Sequence, residues 1–204
     1  MNRPGKIVCV GRNYRDHAKE LGNEVPVEPL LFFKPPTSVI AGGAAIELPR
    51  GAGRVDFEGE VGIVVGERLR RASEQVCEAA VRGIIAANDV SSRDWQKNDD
   101  QWARAKGCDT FLPLGEESRK PRDLRDLTVV TRLNGEEKQH ANTSQLAFSI
   151  PFLLSHISRY MTLEPGDLVL TGTPAGVAPL SPGDVVEVEI VGHSVVRNSV
   201  VAES

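Results

Sequence analysis

The sequence predicts a mainly β protein of the α+β class with a few flanking helices. Short β-branched runs bounded by Gly and Pro recur along the 204 residues, whereas only two segments have a helical period. Strands and helices do not alternate regularly, so a doubly wound parallel sheet is not expected. With 40% hydrophobic residues and no linker or repeat, residues 1–204 are predicted to form a single domain. The predicted strands are IVCVG, TSVIAGG, VGIVVG, GIIAAND, LTVVTRLNG, DLVLTG and DVVEVEIVG.

Turn residues separate several of these strands. Asn134 and Gly135 stand between LTVVTRL and EEKQH, and an Asn-Gly pair in this setting is a strong hairpin signal. Two Pro-Gly-Asp turns, at 165–167 and 182–184, each precede a new strand. The C-terminal half is therefore predicted to consist largely of strands joined by tight turns.

Two helices are predicted within this pattern. Ser73 can cap a helix through EQVCEAAVR that ends before Gly83. The stretch SQLAFSIPFLLSHISRYM also has a helical period, and Pro151 is expected in a first turn or at a restart of the helix.

Composition limits the partners and the location of the protein. The net charge of -4 and the scattered basic residues argue against nonspecific binding to nucleic acids or anionic membranes. No apolar run approaches the roughly 20 residues that span a bilayer, and MNRPGKIVCVG lacks a secretory h-region, so a cytoplasmic location is expected. Cys9, Cys77 and Cys108 have no CxxC spacing, which favours reduced thiols, with Cys9 buried and inert in IVCV.

Three carboxylates are the strongest functional signal. Glu58 and Glu60 in DFEGEVGIVVG would project from the same face of a strand, and Asp89 follows the apolar run GIIAAN. An all-oxygen set of this kind suits a hard divalent cation such as Mg²⁺. An ordinary strand with one wet face would place Glu58 and Glu60 in the same pattern, and spacing alone does not separate the two interpretations.

A histidine and a glutamate form a second candidate pair. His17 and Glu20 in GRNYRDHAKELG are three residues apart, which places them on one face of a helical turn. A carboxylate beside an imidazole orients it and raises its basicity, as a general base requires. A solvated histidine on a polar helix face is the competing interpretation.

Groups that could bind an anion follow Asp89. Arg93 and Gln96 lie one and two helical turns further along, so a helix there would direct both at the same site. An arginine fork and a glutamine amide suit a small keto acid, and Lys106, in a predicted loop, could bring an ammonium to developing negative charge. TGTPAGV, which contains Thr173, follows the strand LVL and could present N–H groups and a hydroxyl to a ligand, although an ordinary turn has the same composition.

Six motifs together carry a resemblance to a known family. In order along the chain, GRNYRDHAKELG, FFKPPTSV, DFEGEVGIVVG, ANDVSSRDWQ, RAKGCDTFLPLG and LTGTPAGV resemble the fumarylacetoacetate hydrolase family. The similarity runs from about Lys6 to Val191 and is greatest to the compact branch of acylpyruvate hydrolases, oxaloacetate decarboxylases and oxopentenedioate-type isomerase/decarboxylases.

The resemblance implies a fold, a cofactor and roles for individual residues. The implied fold is a mixed β-roll or flattened barrel with flanking helices, usually in a homodimer. The implied cofactor is Mg²⁺ or Mn²⁺ on Glu58, Glu60 and Asp89, with the His17–Glu20 pair on a lid. Substrate-site roles are implied for Arg93, Gln96, Lys106, Thr173 and, in FFKPPTSV, Lys34.

The resemblance implies C–C bond hydrolysis of 2,4-dioxo acids (acylpyruvates) as the main interpretation. His17, held by Glu20, would activate the water, and the metal and Lys106 would share the charge of the pyruvate enolate that leaves. The alternative is decarboxylation or isomerisation of oxaloacetate or an oxopentene-tricarboxylate through the same enolate, which needs no water. A non-catalytic metal-binding β-domain is a further alternative, but it would have no use for a base and an anion clamp.

Overall fold

Three β-sheets and four helices form the described part of the protein, which in this computed structural model is residues 4–16 and 26–203. The strands are β1 Ile7–Gly11, β2 Leu30–Lys34, β3 Val39–Ala41, β4 Ile46–Leu48, β5 Val55–Asp56, β6 Gly59–Val65, β7 Val81–Asn88, β8 Ser91–Ser92, β9 Leu112–Leu114, β10 Ser118–Arg119, β11 Thr128–Leu133, β12 Glu136–Asn142, β13 Leu168–Leu170, β14 Val185–Ile190 and β15 Ser194–Ala202. The α-helices are α1 Glu74–Ala79, α2 Arg93–Asn98, α3 Ala103–Gly107 and α4 Ile150–Tyr160, and short 3-10 turns cover Pro36–Ser38 and Thr143–Gln145.

The largest sheet has eight strands and mixed direction. Its order is β2-β1-β13-β6-β7-β9-β3, with β10 paired to β7. The second sheet has the order β12-β11-β14-β15-β4, and β5 and β8 form a two-stranded ribbon. The large sheet curls into a half-barrel, so the predicted mainly β fold of the α+β class is confirmed.

The pairing of the central strands brings four strand ends to one edge of the large sheet. β1 is parallel to β13, with Cys9 opposite Leu170, and β13 is antiparallel to β6. β6 in turn is antiparallel to β7, with Gly59 opposite Asn88. The ends of β1, β7 and β13 and the beginning of β6 therefore meet, and the loops at this edge carry the candidate site.

Buried apolar residues fill the space between the sheets and the helices α1 and α4. Strands β6 and β7 supply Val61, Ile63 and Ile84, and α4 supplies Leu154 and Ile157, all of them at most 1% exposed. Burying one such side chain is favourable by about 1.5–3 kcal/mol. β6 is buried on both faces, which is why its sequence is a nearly continuous apolar run.

The predicted turns and caps are confirmed. Asn134 and Gly135 have φ angles of 54° and 84° and join β11 to β12, and Gly166 and Gly183 have positive φ in the two Pro-Gly-Asp turns. The Ser73 hydroxyl accepts the N–H of Val76 at the start of α1.

The helix boundaries differ from the prediction in two respects. α1 ends at Ala79, because Val81 and Arg82 already belong to β7 and the packing of that strand outweighs helix propensity. α4 begins only at Ile150, with Pro151 in its first turn as expected. In residues 4–16 and 26–203, no helix is long and apolar enough to cross a membrane.

Candidate metal and substrate site

The three predicted carboxylates converge in the interior. Glu58, Glu60 and Asp89 are 5%, 2% and 0% exposed, and one carboxylate oxygen from each lies within 4.8 Å of the others. The alternative of a wet strand face is therefore wrong. One detail of the prediction also changes, because β6 begins at Gly59 and Glu58 lies just before the strand, where its N–H donates to Asn88 Oδ1 at 2.9 Å.

Glu60 is the member of the triad with the least compensation of its charge. Burial, followed by the charges of Asp89 and Glu58, raises the pKa of Glu60 well above its ordinary value. The Gly172 N–H donates to its Oε2 at 2.7 Å, but across the described ranges no lysine or arginine forms an ion pair with it. Three converging buried carboxylates, one of them without a cationic partner, fit a hard divalent cation.

Lys106 contacts the other two carboxylates. Its Nζ lies 2.7 Å from Glu58 Oε2 and 2.8 Å from Asp89 Oδ2. Burial alone would lower the pKa of Lys106, but the charges of Asp89 and Glu58 outweigh burial and raise it, so the ammonium stays charged. The predicted loop is wrong here, because Lys106 lies in the short helix α3 and is 2% exposed.

Lys34 contacts Asp89 from within the protein interior and is separate from the other cationic side chains of the site. Its buried Nζ is 2.8 Å from Asp89 Oδ1 and donates to the carbonyls of Val90, at 3.1 Å, and of Lys106. It therefore fixes the loop after β7 and the end of α3 around the carboxylate. The substrate-binding role predicted for Lys34 stays a prediction, and this geometry favours a positioning role.

Arg93 and Gln96 form the wall beside Glu58. The helix α2, which Ser92 caps, places them one turn apart, and Arg93 Nη1 donates to Gln96 Oε1 at 2.8 Å. The same nitrogen is 2.7 Å from Glu58 Oε1, while Arg93 Nε donates to Asp56 Oδ2 at 2.8 Å. Burial would lower the pKa of Arg93, but these carboxylates raise it, so it stays charged.

The third nitrogen of the Arg93 guanidinium, Nη2, differs from Nε and Nη1. It is buried, and within the described residues it makes no hydrogen bond. An unsatisfied buried donor is unfavourable by about 1–3 kcal/mol, so a bound acceptor would remove this penalty.

Gln139 is a site residue that the sequence did not reveal. Its Nε2 donates to Thr173 Oγ1 and to the Pro174 carbonyl, each at 2.8 Å, and its Oε1 accepts the Gly59 N–H at 3.0 Å. Thr173 uses its own hydroxyl proton on the Gly59 carbonyl at 2.9 Å, which leaves it an acceptor toward a ligand. No sequence signal distinguishes it, because Gln139 lies in the mostly polar run EEKQHAN of β12 and only the structure shows that it is buried.

A cavity of about 370 Å³ opens over this cluster. Glu58, Glu60, Arg93, Gln96, Lys106 and Thr173 are among the lining residues, together with Val10, Gly11, Arg12, Phe32, Lys97 and Trp102. The structure therefore brings six of the predicted site residues together on the wall of one cavity. The other two predicted residues within the described chain, Asp89 and Lys34, do not line the cavity but form ion pairs next to it. His17 and Glu20 lie outside the described residues, so their roles stay predictions.

Cys9 fits the inert role predicted for it. The thiol is fully buried, and burial, followed by the charge of Asp89, raises its pKa well above the ordinary value. A thiolate at this position is therefore disfavoured, and the chemistry of the cavity depends on the carboxylates and cations around it.

The fold and the site together define a class of enzyme in which three buried carboxylates and several cationic side chains surround one cavity. The chain belongs to the fumarylacetoacetate hydrolase family, because the family profile "Fumarylacetoacetate (FAA) hydrolase C-terminal" matches residues 6–201. The predicted resemblance, including its compact branch, is confirmed.

Three relatives illustrate the activities named in this branch. The chain is 43% identical to the mitochondrial oxaloacetate decarboxylase of Dictyostelium discoideum, over 92% of this chain and 89% of that protein. It is 40% identical to the mitochondrial oxaloacetate tautomerase of Arabidopsis thaliana, over 94% and 89%. The crystal structure of 2-hydroxyhepta-2,4-diene-1,7-dioate isomerase from Mycobacterium marinum superposes with a TM-score of 0.91 at 42% identity, covering 99% of this chain and 76% of that one.

Proposed function

We propose that this enzyme promotes the enol–keto interconversion of oxaloacetate or a closely related 2-oxo dicarboxylic acid through the enolate formed by loss of the C3 proton. Decarboxylation, in which the bond to the leaving carbon dioxide breaks and the enolate of pyruvate remains, is a second reaction that the same groups would support. The observation that carries the proposal is the contact of Lys106 with two of the three carboxylates. Lys106 would therefore hold its positive charge beside the carboxylates that could bind a divalent cation, and both charges could stabilise the negative charge of an enolate.

Each group has a distinct role in this proposal. Glu58, Glu60 and Asp89 would hold Mg²⁺ or Mn²⁺, and the bound ion supplies Lewis-acid polarisation of the 2-oxo group. Lys106 stabilises the negative charge on the enolate oxygen, and the free Nη2 of Arg93 donates to the carboxylate next to the 2-oxo group. His17, which the sequence predicts as a base that activates water, would in this reaction remove the C3 proton, with Glu20 as its partner.

The relatives support this activity better than the acylpyruvate hydrolysis that the sequence first favoured. Two of them carry names that refer to oxaloacetate, and the name of the third refers to isomerisation of an unsaturated dicarboxylate. All three names refer to substrates with two carboxylates, which matches the dicarboxylic acid of the proposed reaction.

Hydrolysis of acylpyruvates is kept as a second candidate because the family is named for a hydrolase and His17 with Glu20 would suit water activation. A non-catalytic metal site is disfavoured by the free Arg93 donor and the cavity beside the triad. The homodimer implied by the resemblance stays a prediction that light scattering can test.

A substrate comparison with the purified protein tests the proposal. Enol-enriched oxaloacetate and acetylpyruvate would each be followed by ultraviolet absorbance with Mg²⁺ and with EDTA. We expect metal-dependent ketonisation of oxaloacetate and much slower loss of acetylpyruvate. Efficient cleavage of acetylpyruvate without any effect on oxaloacetate would instead establish the hydrolase.

A further inference from the structure

Four cations line the cavity, but they differ in what they already bind. Lys106 is held by Glu58 and Asp89, and Arg93 is held by Asp56 and Glu58. Arg12 and Lys97 also line the cavity, and within residues 4–16 and 26–203 neither forms an ion pair with a carboxylate. The positive charge still available to a second anionic group of a ligand is therefore on Arg12 and Lys97.

Arg12 is the better placed of the two. Lys97 is exposed near the end of α2, whereas Arg12 is half-buried directly after β1. Its φ angle is 58°, in the left-handed region that a non-glycine residue adopts at an energetic cost. Such a conformation persists only where the surrounding structure enforces it.

The neighbours of Arg12 enforce this conformation. Gly11 pairs with Leu30 of β2, and Asn13 Nδ2 donates to the Thr171 carbonyl at 2.8 Å while Asn13 Oδ1 accepts the N–H of Phe148 at 2.8 Å. The backbone is therefore fixed on both sides of Arg12, and its side chain is directed from a rigid base.

Arg12 is also connected to the acidic triad. The carbonyl of Thr171, which Asn13 holds, is followed by Gly172, whose N–H binds Glu60. Phe32 and Trp102 also line the cavity, and their rings meet edge to face at 5.3 Å. The Phe32 ring lies 4.9 Å from Lys106 Nζ beside the triad, and Trp102 packs near Gly11, the residue before Arg12. A ligand can thus meet the triad with one end, an apolar wall with its middle and Arg12 with its other end.

We propose that Arg12 binds the distal carboxylate of the substrate and selects dicarboxylic over monocarboxylic 2-oxo acids. The inference rests on the proposed function, in which the 2-oxo group and its neighbouring carboxylate are the end of the substrate that faces the triad. A guanidinium without a carboxylate partner on a fixed backbone can form a bidentate pair with a carboxylate. A monocarboxylic ligand would leave Arg12 without that partner and gain nothing from it.

Binding of two unreactive ligands tests this role separately from catalysis. Lactate and malate are 2-hydroxy acids that differ by one distal carboxylate, and their dissociation constants can be measured by calorimetry on the Mg²⁺-loaded protein. The variant Arg12→Asn removes the charge and keeps a residue that tolerates positive φ. Arg71→Asn is the matched control, because Arg71 also has positive φ, at 52°, but is exposed and does not line the cavity. Its N–H donates to the Ser158 carbonyl of α4.

We expect wild type and Arg71→Asn to bind malate about tenfold more tightly than lactate, as one charged hydrogen-bonded contact provides. Arg12→Asn should lose that preference and keep the affinity for lactate. The inference would be overturned if wild type bound the two ligands equally or if Arg12→Asn kept the preference for malate. It would also be overturned if Lys97→Gln, and not Arg12→Asn, lost that preference.

Turnover of oxaloacetate by the same variants separates the two proposals. If Arg12→Asn loses the preference for malate but wild type does not act on oxaloacetate, the binding role stands and the proposed reaction fails. If wild type acts on oxaloacetate and Arg12→Asn has an unchanged KM, the reaction stands and the binding role fails.

Discussion

The backbone N–H of Gly172 donates to Glu60 Oε2 across 2.7 Å, which joins the loop after β13 to the acidic triad. Gly172 has a φ of 97°, and a Cβ built there would lie 2.9 Å from the Cβ of Asn13, so only glycine fits this approach. The hydrogen bond favours the ionised form of Glu60, while burial and two neighbouring carboxylates oppose it. Glu60 is thus oriented as a ligand at a position where its charge is unfavourable without a cation.

Glu60→Gln should lose the metal without losing the fold. The amide oxygen can still accept the Gly172 N–H, and the neutral side chain removes the repulsion within the triad. We expect the affinity for Mn²⁺ to fall more than about 100-fold. Even residues that do not touch the metal, but hydrogen-bond to one of its ligands, typically contribute about 10–100-fold to metal affinity. Calorimetry measures the affinity, and Glu164→Gln, at an exposed carboxylate paired with Arg68, is the control.

Glu60→Gln should also leave the stability of the metal-free protein unchanged or increase it. Without metal, Glu60→Gln should melt at the same temperature as the wild type or above it, because a buried carboxylate with a raised pKa opposes folding at neutral pH. A clearly lower melting temperature for the metal-free variant would contradict this account of the triad.

Lys106→Met should destabilise the metal-free protein strongly. The ammonium is buried between Glu58 and Asp89, and removing one partner of a buried ion pair typically costs about 3–5 kcal/mol. Added Mg²⁺ should raise the melting temperature of the variant more than that of the wild type, because the cation compensates the same carboxylates. Lys138→Met, which removes a partly exposed pair with Glu136, should cost less than about 1 kcal/mol. If Mg²⁺ stabilises wild type and Lys106→Met equally, the lysine and the metal do not share these ligands.

Gln139→Leu tests the hydrogen bonds that connect β12 to the site. The change leaves the Gly59 N–H and the Pro174 carbonyl without their partner, and each unsatisfied buried group costs about 1–3 kcal/mol. Urea unfolding should show this loss, and turnover should fall as Thr173 loses its orientation. Gln75→Leu, at an exposed position of α1, should change neither property.

His17→Ala separates the reactions that need a base from the one that does not. General bases contribute about 10²–10⁴-fold, so enolisation of oxaloacetate and any hydrolysis of acetylpyruvate should fall by at least about 100-fold. Metal-dependent decarboxylation of oxaloacetate should fall much less, because it requires no proton removal. Three equal losses would refute a base role for His17, and the exposed His193 provides a matched histidine control.

The fold could be predicted largely because its signals are local. Hairpin residues such as Asn134 and Gly135, the Ser73 cap and the apolar runs of β6 and β7 each specify their own segment. The spacing of Glu58 and Glu60 and the position of Asp89 after a buried strand indicate the triad as one of two interpretations, and the family resemblance favours it over a wet strand face. Helix α3 could not be predicted, because it has five residues and no side-chain cap.

The cationic side of the site depends on contacts between distant residues. Lys106 and Glu58 are 48 positions apart, and Gln139 and Gly59 are 80 positions apart. Sequence spacing carries no information about such pairs, so a buried lysine could not be distinguished from a solvated one. The role of Arg12 cannot be predicted from the sequence for the same reason, since its position on the cavity follows from the pairing of β1 with β2 and β13.

The most direct test of the central claim is the rate at which enol-oxaloacetate ketonises. Absorbance would follow this rate while Mg²⁺ is titrated into the metal-free wild type and the metal-free Glu60→Gln variant. The account predicts a rate that rises and saturates with Mg²⁺ in the wild type and is abolished by EDTA, and a rate near the uncatalysed one in the folded variant. Equal catalysis by both proteins, or catalysis that EDTA leaves unchanged, would contradict the claim that a metal held by Glu58, Glu60 and Asp89 drives enolate chemistry in this protein.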